Sequence, residues 1–316
     1  MNAAFRYHGS KYRIYPFIAE YIDKAPVYTE SFGGSAAVLL QKPITGIEVY
    51  NDLDQDVYNF FHCLRTRSHT LLQAIAATPY SRQLFEEVDE AKRLNQTPTD
   101  PIERALHFFI LCEQGWGSKK HNGRRSWRKQ RTGDNNAPNR SWAWANAPER
   151  LLEISDRLRH VFIENRPAIQ VVKDYDSPET MHYVDPPYPP STRTRPDHGY
   201  DHEMPDDAQH IELLDALLHL HGKVIVSGMD HPIYNRMLNN WDSIEINSRT
   251  ASHDYVSTEV LWFSPTCTRQ LSLFSISHPC PANDTSAATS AAPNVNTPPP
   301  PTPPSKSSVP ASEVSA

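Results

Sequence analysis

Apolar positions recur along this chain in two rhythms. Short apolar runs bounded by glycine, proline or acids read as strands, and apolar residues spaced three and four apart read as helices. The chain opens with a predicted helix over 11–22, with Ile14, Phe17, Ile18, Tyr21 and Ile22 on its apolar face and Ser10 at its cap. A strand leads from Val27 into the turn Phe32-Gly33-Gly34-Ser35, then a helix over 36–41. A second strand over 44–52 ends in Asn51-Asp52. From 54 to 112 the period is helical, with segments at 57–64, 70–76, 84–94 and 102–111 separated by Pro79, Pro98 and Pro101.

Alternation then returns. A helix over 148–159 (Leu151, Leu152, Ile154, Leu158) precedes a strand over 161–164, a helix over 168–175 and a strand over 181–184. A helix over 206–220 (Ile211, Leu213, Leu214, Leu217, Leu218), a strand over 223–228 and a helix over 233–238 follow. Strands over 243–247 and 258–263 have no helix between them, which predicts a closing hairpin. Strand–helix alternation at both ends, with a run of helices between, predicts an α/β fold with a mostly parallel sheet and a separate helical unit.

Composition adds exclusions. No run of eighteen apolar residues occurs, so no transmembrane helix is expected, and residues 1–11 lack the apolar centre of a signal peptide. Cys63, Cys112, Cys267 and Cys280 are scattered, with no CxxC and no histidine cluster at ligand spacing. Reduced thiols, no metal and a cytoplasmic location are the expectation. Residues 280–316 are rich in Pro, Ser, Thr and Ala, cannot bury a core and are expected to be disordered. An unidentified partner could engage this tail; the folded part is treated as a monomer.

Charge changes the picture at one place. The chain carries a net −6, yet 115–140 holds Lys119, Lys120, Arg124, Arg125, Arg128, Lys129, Arg131 and Arg140 against Asp134 alone, a local +7. Trp116 and Trp127 are interleaved, with Gly117, Gly123 and Gly133. A solvated basic loop explains the charge but not the aromatics; phosphate neutralisation with base contact explains both. Asn122, Arg124, Arg125, Arg128 and Asn139 have the fork or amide geometry for base edges.

Candidate chemistry sits at predicted strand ends. Asp185-Pro186-Pro187-Tyr188 follows the strand over 181–184. Its prolines fix the backbone into a ledge. A carboxylate and a carbonyl there can accept the two hydrogens of a planar amino group while the ring stacks on its base. The Phe32-Gly33-Gly34 turn allows close backbone approach at a strand's carboxyl end. Asp52, about twenty residues later, can bind ribose hydroxyls; Asp52 or Asp54 could also cap the next helix, and the two roles are compatible. Tyr7-His8-Gly9-Ser10-Lys11 reads on its own residues first as the capped start of a surface helix, and it also offers backbone amides to an anion. No Gly-Lys-Ser/Thr signature is present, so phosphate chemistry is not indicated. The polar loop 189–204, with Thr194, His198, Tyr200 and His202, reads as a flap, its histidines as solvent-facing.

Taken together, these residues resemble the Dam-like adenine-specific DNA methyltransferases of the α arrangement, in which cofactor motifs come first, a target recognition domain next and the catalytic motif last. Tyr7-His8-Gly9-Ser10-Lys11 is similar to the family's N-terminal motif, Glu30-Ser31-Phe32-Gly33-Gly34-Ser35 to its FxG turn, Asn51-Asp52 to its ribose-binding acid, and Asp185-Pro186-Pro187-Tyr188 to its catalytic tetrapeptide. The resemblance spans about 5–265. It implies a Rossmann-like sheet binding S-adenosyl-L-methionine, divided into 1–56 and 161–275, with an inserted mainly helical DNA-recognition domain over 57–160 and a tail over 276–316. It implies methyl transfer to the exocyclic amino group of an adenine flipped out of double-stranded DNA. Asp185, Pro186 and Tyr188 would be catalytic. Tyr7, Gly9, Lys11, Phe32, Gly33, Gly34, Ser35, Asp52 and Asp185 would border the cofactor, with Tyr7 and Lys11 at its methionine end. Lys119, Lys120, Arg124, Arg125, Arg128, Lys129 and Arg131 would contact DNA. Other classes fit parts of the pattern: an RNA or glutamine methyltransferase shares the fold, but the latter usually has Asn at the position of Asp185. A cytosine amino methyltransferase more often shows Ser at the position of Asp185. A non-enzymatic DNA-binding protein would not need Gly33, Gly34, Asp52 and Asp185 together.

Overall fold

The computed structural model describes residues 1–7, 9, 11–119, 124–129, 139–192, 204–249 and 256–267. In chain order these form α1 (Tyr15–Ile22), β1 (Val27–Glu30), β2 (Ile47–Asn51), α2 (Gln55–Thr66), α3 (Ser68–Ala77), α4 (Arg82–Arg93), α5 (Pro101–Gln114), β3 (Gly115–Lys119) and β4 (Arg125–Trp127). Then come α6 (Arg140–Ala145), α7 (Ala147–Arg157), β5 (Val161–Glu164), α8 (Ala168–Asp174), β6 (Thr180–Val184), α9 (Asp207–Leu218), β7 (Lys223–Met229), α10 (Pro232–Met237), β8 (Asp242–Arg249) and β9 (Val256–Phe263). All lie in one compact unit, Met1–Arg269.

Seven strands make the main sheet in the order β5-β2-β1-β6-β7-β9-β8. The first five are parallel; β9 runs antiparallel to both β7 and β8, as the missing helix predicts. From β1 the chain builds outward through β2 to β5, then crosses back to place β6 on the other side of β1. The switch point therefore lies between β1 and β6, where Glu30 pairs with Tyr183. Ligands of open α/β sheets bind at the carboxyl ends of strands beside such a point.

Alternating residues divide the core between the two faces. Met181 and Tyr183 of β6, Ile225 of β7, and Leu261 and Phe263 of β9 join a cluster with Ile18 and Ile22 of α1 and with Phe60, Phe61 and Phe109 of α2 and α5. Val184, Val224, Val226, Val260 and Trp262 face the other way, onto Val172 of α8, Leu213, Leu214 and Leu217 of α9, and Tyr234 of α10. Helix starts follow their local signals: Asp54 accepts from the amides of Asp56 and Val57, Asp100 precedes Pro101 and accepts from Glu103, and Asp206 accepts from Gln209.

Several boundaries differ from the sequence reading. The first helix starts at Tyr15, not residue 11, with Pro16 in its first turn, and Phe17 is exposed. Residues 36–41 form successive turns rather than a helix. Ala36 is left-handed (φ 56°), and the Leu39 amide donates to the Glu30 carboxylate (2.8 Å). The second strand starts at Ile47, leaving Ile44 exposed. Helix α7 gives way to a 3-10 turn at Leu158–His160, and Leu152, Ile211 and Leu218 face solvent in part. The basic segment, read as a loop, contributes the antiparallel pair β3–β4. Most of the expected flap, including His198 and His202, and the tail over 276–316 lie outside the described residues.

Candidate active site

The carboxyl ends of β1, β2 and β6 border a cleft of about 130 Å³ that opens to solvent. Tyr7, Gly9, Lys11, Glu30, Phe32, Gly33, Gly34, Ser35, Asp52, Tyr183, Asp185, Pro187 and Met204 contribute to its lining. The N-terminal segment reaches it because residues before it are tied to the helices. Arg150 Nη1 donates to the carbonyls of Ala3 and Ala4 (2.7 Å each), Phe5 packs edge-on against Phe60 and Phe108, and Arg6 pairs with Glu113.

The glycine turn is held from both sides. The Gly33 amide donates to the Asn51 carbonyl (2.8 Å), and the Gly34 amide to Asp52 Oδ2 (2.8 Å). Asp52 Oδ1 accepts from the Asp54 amide (2.9 Å), while Asp54 caps α2. Asp52 thus joins the turn to the end of β2 while lining the cleft. Gly34 has φ 49°, where a side chain is strained. At Gly33 a Cβ would sit 2.0 Å from the Tyr50 ring, whose hydroxyl donates to the Gly34 carbonyl (2.6 Å). The close approach that requires Gly33 is therefore to an aromatic ring of the core.

Asp185 stands beside this turn in a crowded polar cluster. Ser227 Oγ donates to its Oδ1 (2.7 Å), and the Tyr183 hydroxyl lies 3.1 Å from the same Ser227 oxygen. Lys11 Nζ lies 2.9 Å from Asp185 Oδ2, 3.3 Å from Glu259 Oε1, and donates to the Gly9 carbonyl (2.7 Å). It also sits over the Tyr188 ring, 4.9 Å from the centroid, and the Tyr188 hydroxyl donates to Glu259. Burial pushes the Asp185 carboxyl up to about 6; Lys11 opposes the rise and Glu259 adds to it. Burial disfavours the Lys11 charge, but Asp185, Tyr188 and Glu259 outweigh it and hold the ammonium well above its usual range. Burial also pushes Glu30 up to about 8, against hydrogen bonds from the Tyr28 hydroxyl and the Leu39 amide. Pro186 and Tyr188 adjoin the cleft but do not line it.

A strand-end carboxylate ledge, a glycine turn locked to a strand-end acid, and a switch point between them make up the site geometry. The family model for D12 class N6 adenine-specific DNA methyltransferases matches residues 7–255. The chain belongs to this family. It is an enzyme that methylates adenine at N6 in DNA. Comparison with curated proteins found no match. Methyltransferases of this kind use S-adenosylmethionine as the methyl donor, and their substrate is DNA. Among the described residues no helix is long and apolar enough to cross a membrane.

For the methyltransferase, sequence reasoning missed Glu259 and Ser227 as members of the Asp185 cluster. An acid preceding the apolar run Val260-Leu261-Trp262-Phe263 was a signal, but only the reversal of β9 brings it to this edge of the sheet. Among the basic candidates, Arg124 pairs with Glu90 (3.1 Å) and Arg125 with Asp89 (3.5 Å), both acids on α4. The Arg128 guanidinium lies over the Trp116 ring (4.4 Å), and burial lowers it to about 10. Lys129 is exposed and Lys119 closes β3. Lys120 and Arg131 lie outside the described residues.

Proposed function

We propose that the cleft at the β1–β6 switch point binds S-adenosyl-L-methionine and that the Asp185–Tyr188 ledge seats a flipped-out adenine beside it. The observation that carries this reading is the side-by-side placement of Asp185 and the Gly34–Asp52 turn around one cleft. The residues present fit the donor. Gly34 lines the cleft with the Tyr7 ring against its Cα, Asp52 can accept from ribose hydroxyls, and Phe32 and Ser35 form adjoining wall. When bound, the donor supplies a methyl group on a cationic sulfur. Lys11 lines the cleft at the end assigned to the methionine part and also holds Asp185.

The chain's own chemistry is positioning and charge. Asp185 and the Pro186 carbonyl accept the two hydrogens of the adenine amino group, which turns the nitrogen lone pair toward the methyl group. Tyr188 stacks on the extruded base. Extrusion costs a few kcal/mol, on the order common to base-flipping enzymes; oriented acceptors and exclusion of water supply the rate. Residues 57–160, including β3–β4, serve as the target recognition domain for double-stranded DNA. Lys129, Arg128 stacked on Trp116, and the exposed Trp142 of α6 face the polymer, while Arg124 and Arg125 exchange their α4 acids for phosphate.

Retention of labelled S-adenosylmethionine by the full chain tests the cleft. Asp52→Ala loses a ribose acceptor and frees the Gly34 amide, so affinity falls by about tenfold or more. Wild-type affinity in this variant contradicts the assignment.

A further inference from the structure

β9 is antiparallel to β7, so its early residues reach the sheet edge where the parallel strands end, and Glu259 stands opposite Met229. From there its carboxylate meets two groups that surround Asp185. It accepts the Tyr188 hydroxyl and lies 3.3 Å from Lys11 Nζ. An ammonium has three donors, and those of Lys11 are shared among the Gly9 carbonyl, Asp185 and Glu259. Resting on the reading of Asp185 and Tyr188 as the adenine seat, we propose that Glu259 is a positioning residue for methyl transfer. It anchors the outer end of the Tyr188 ring and draws part of the Lys11 charge away from Asp185.

Both effects follow from geometry. A tyrosine held only at its Cβ end can swing its ring; a bond at the hydroxyl fixes the far end as well, which sets the face offered to the base. A lysine paired with one carboxylate neutralises it strongly; a second carboxylate on the same nitrogen leaves the first more basic and a better acceptor of amino hydrogens. The titratable groups facing Asp185 are Lys11 from the N-terminal segment, Glu30 from β1, Tyr183 from β6, Tyr188 from the ledge, Tyr234 from α10 and Glu259 from β9. Among the described residues, Lys11 is the one cation facing Asp185.

The test is single-turnover methyl transfer across pH, with the full chain and a duplex carrying its mapped target adenine. Glu259→Gln keeps an acceptor for Tyr188 but loses the charge. Its rate falls by about tenfold with the apparent affinity for S-adenosylmethionine changed less than about twofold. The acid limb of its profile moves to lower pH by about half a unit or more, because Asp185 then keeps its charge further into acid. Glu259→Ala is slower still, and its extra loss largely disappears in a Tyr188→Phe background, where no hydroxyl needs anchoring. An acid limb that stays in place in Glu259→Gln, or a rate within about twofold of wild type, overturns the proposal. If Glu259→Gln does not fold, the coupling between Glu259→Ala and Tyr188→Phe decides, and additive losses overturn it. Asp185→Ala run alongside separates the two levels. If that variant still transfers methyl groups, the seat itself is misassigned; if it is inactive while Glu259→Gln behaves as wild type, only the role of Glu259 fails.

Discussion

Lys11 Nζ lies 2.9 Å from Asp185 Oδ2, joining the N-terminal segment to the end of β6 across the mouth of the cleft. Both side chains are largely buried, so little water screens the pair. Lys11 holds the Asp185 carboxyl down against burial. Lys11→Met removes that restraint, so the Asp185 carboxyl rises above about 6 and more of it is protonated at neutral pH. A protonated carboxyl has lost acceptor capacity. The expected result is a single-turnover rate at pH 7 lowered by at least about tenfold, partly recovered at higher pH. A pH–rate profile superimposable on wild type contradicts the coupling.

Glu30 sets a pH dependence of stability. Burial pushes its folded carboxyl up to about 8 from the ordinary 4.5. Between those values the folded state holds a proton that the unfolded chain has released. The contribution of this group is complete below 4.5 and is lost as pH rises through about 8. Glu30→Gln, neutral at every pH, should gain stability relative to wild type as pH rises from acid to about 8. Urea unfolding at several pH values reads this directly; a constant difference between the two proteins contradicts it.

A buried ion cluster ties β2 to α7. Glu48 meets Lys42 (2.5 Å) and two nitrogens of Arg157 (2.6 and 2.9 Å), with all three side chains essentially out of contact with water. Glu48→Ala leaves two cations without their partner and is expected to lose about 3–5 kcal/mol, seen as a lower urea midpoint with an unchanged slope. A loss below about 1 kcal/mol means that the cluster is replaceable.

The order of strands and helices was legible because each amphipathic period survives in a chain whose sheet has a core on both faces. Val184, Val224 and Val226 alternate with Tyr183 and Ile225 between the two clusters. The DPPY ledge, the glycine turn and Asp52 could be placed near one another from sequence because each is a short backbone motif at a strand's carboxyl end, and the structure sets them around one cleft. What sequence could not supply came from pairing across distance. Glu259 enters the cluster only because β9 reverses. Gly33 answers to the Tyr50 ring, and Lys11 to two carboxylates rather than to a helix start. Turns replace the helix expected over 36–41: Ala36 is left-handed, and the Glu30 carboxylate, nine residues back at the end of β1, takes the Leu39 amide. The +7 of the basic segment hid two residues whose partners, Asp89 and Glu90, lie on α4.

The role of Asp185 is the centre of the account, and one comparison reads it most directly. Wild type and Asp185→Ala, each incubated with DNA and labelled S-adenosylmethionine, are assayed for N6-methyladenine in the product and for label retained by the protein. N6-methyladenine is expected from wild type and none from Asp185→Ala, with the donor retained by both. Undiminished N6-methyladenine from Asp185→Ala would contradict it.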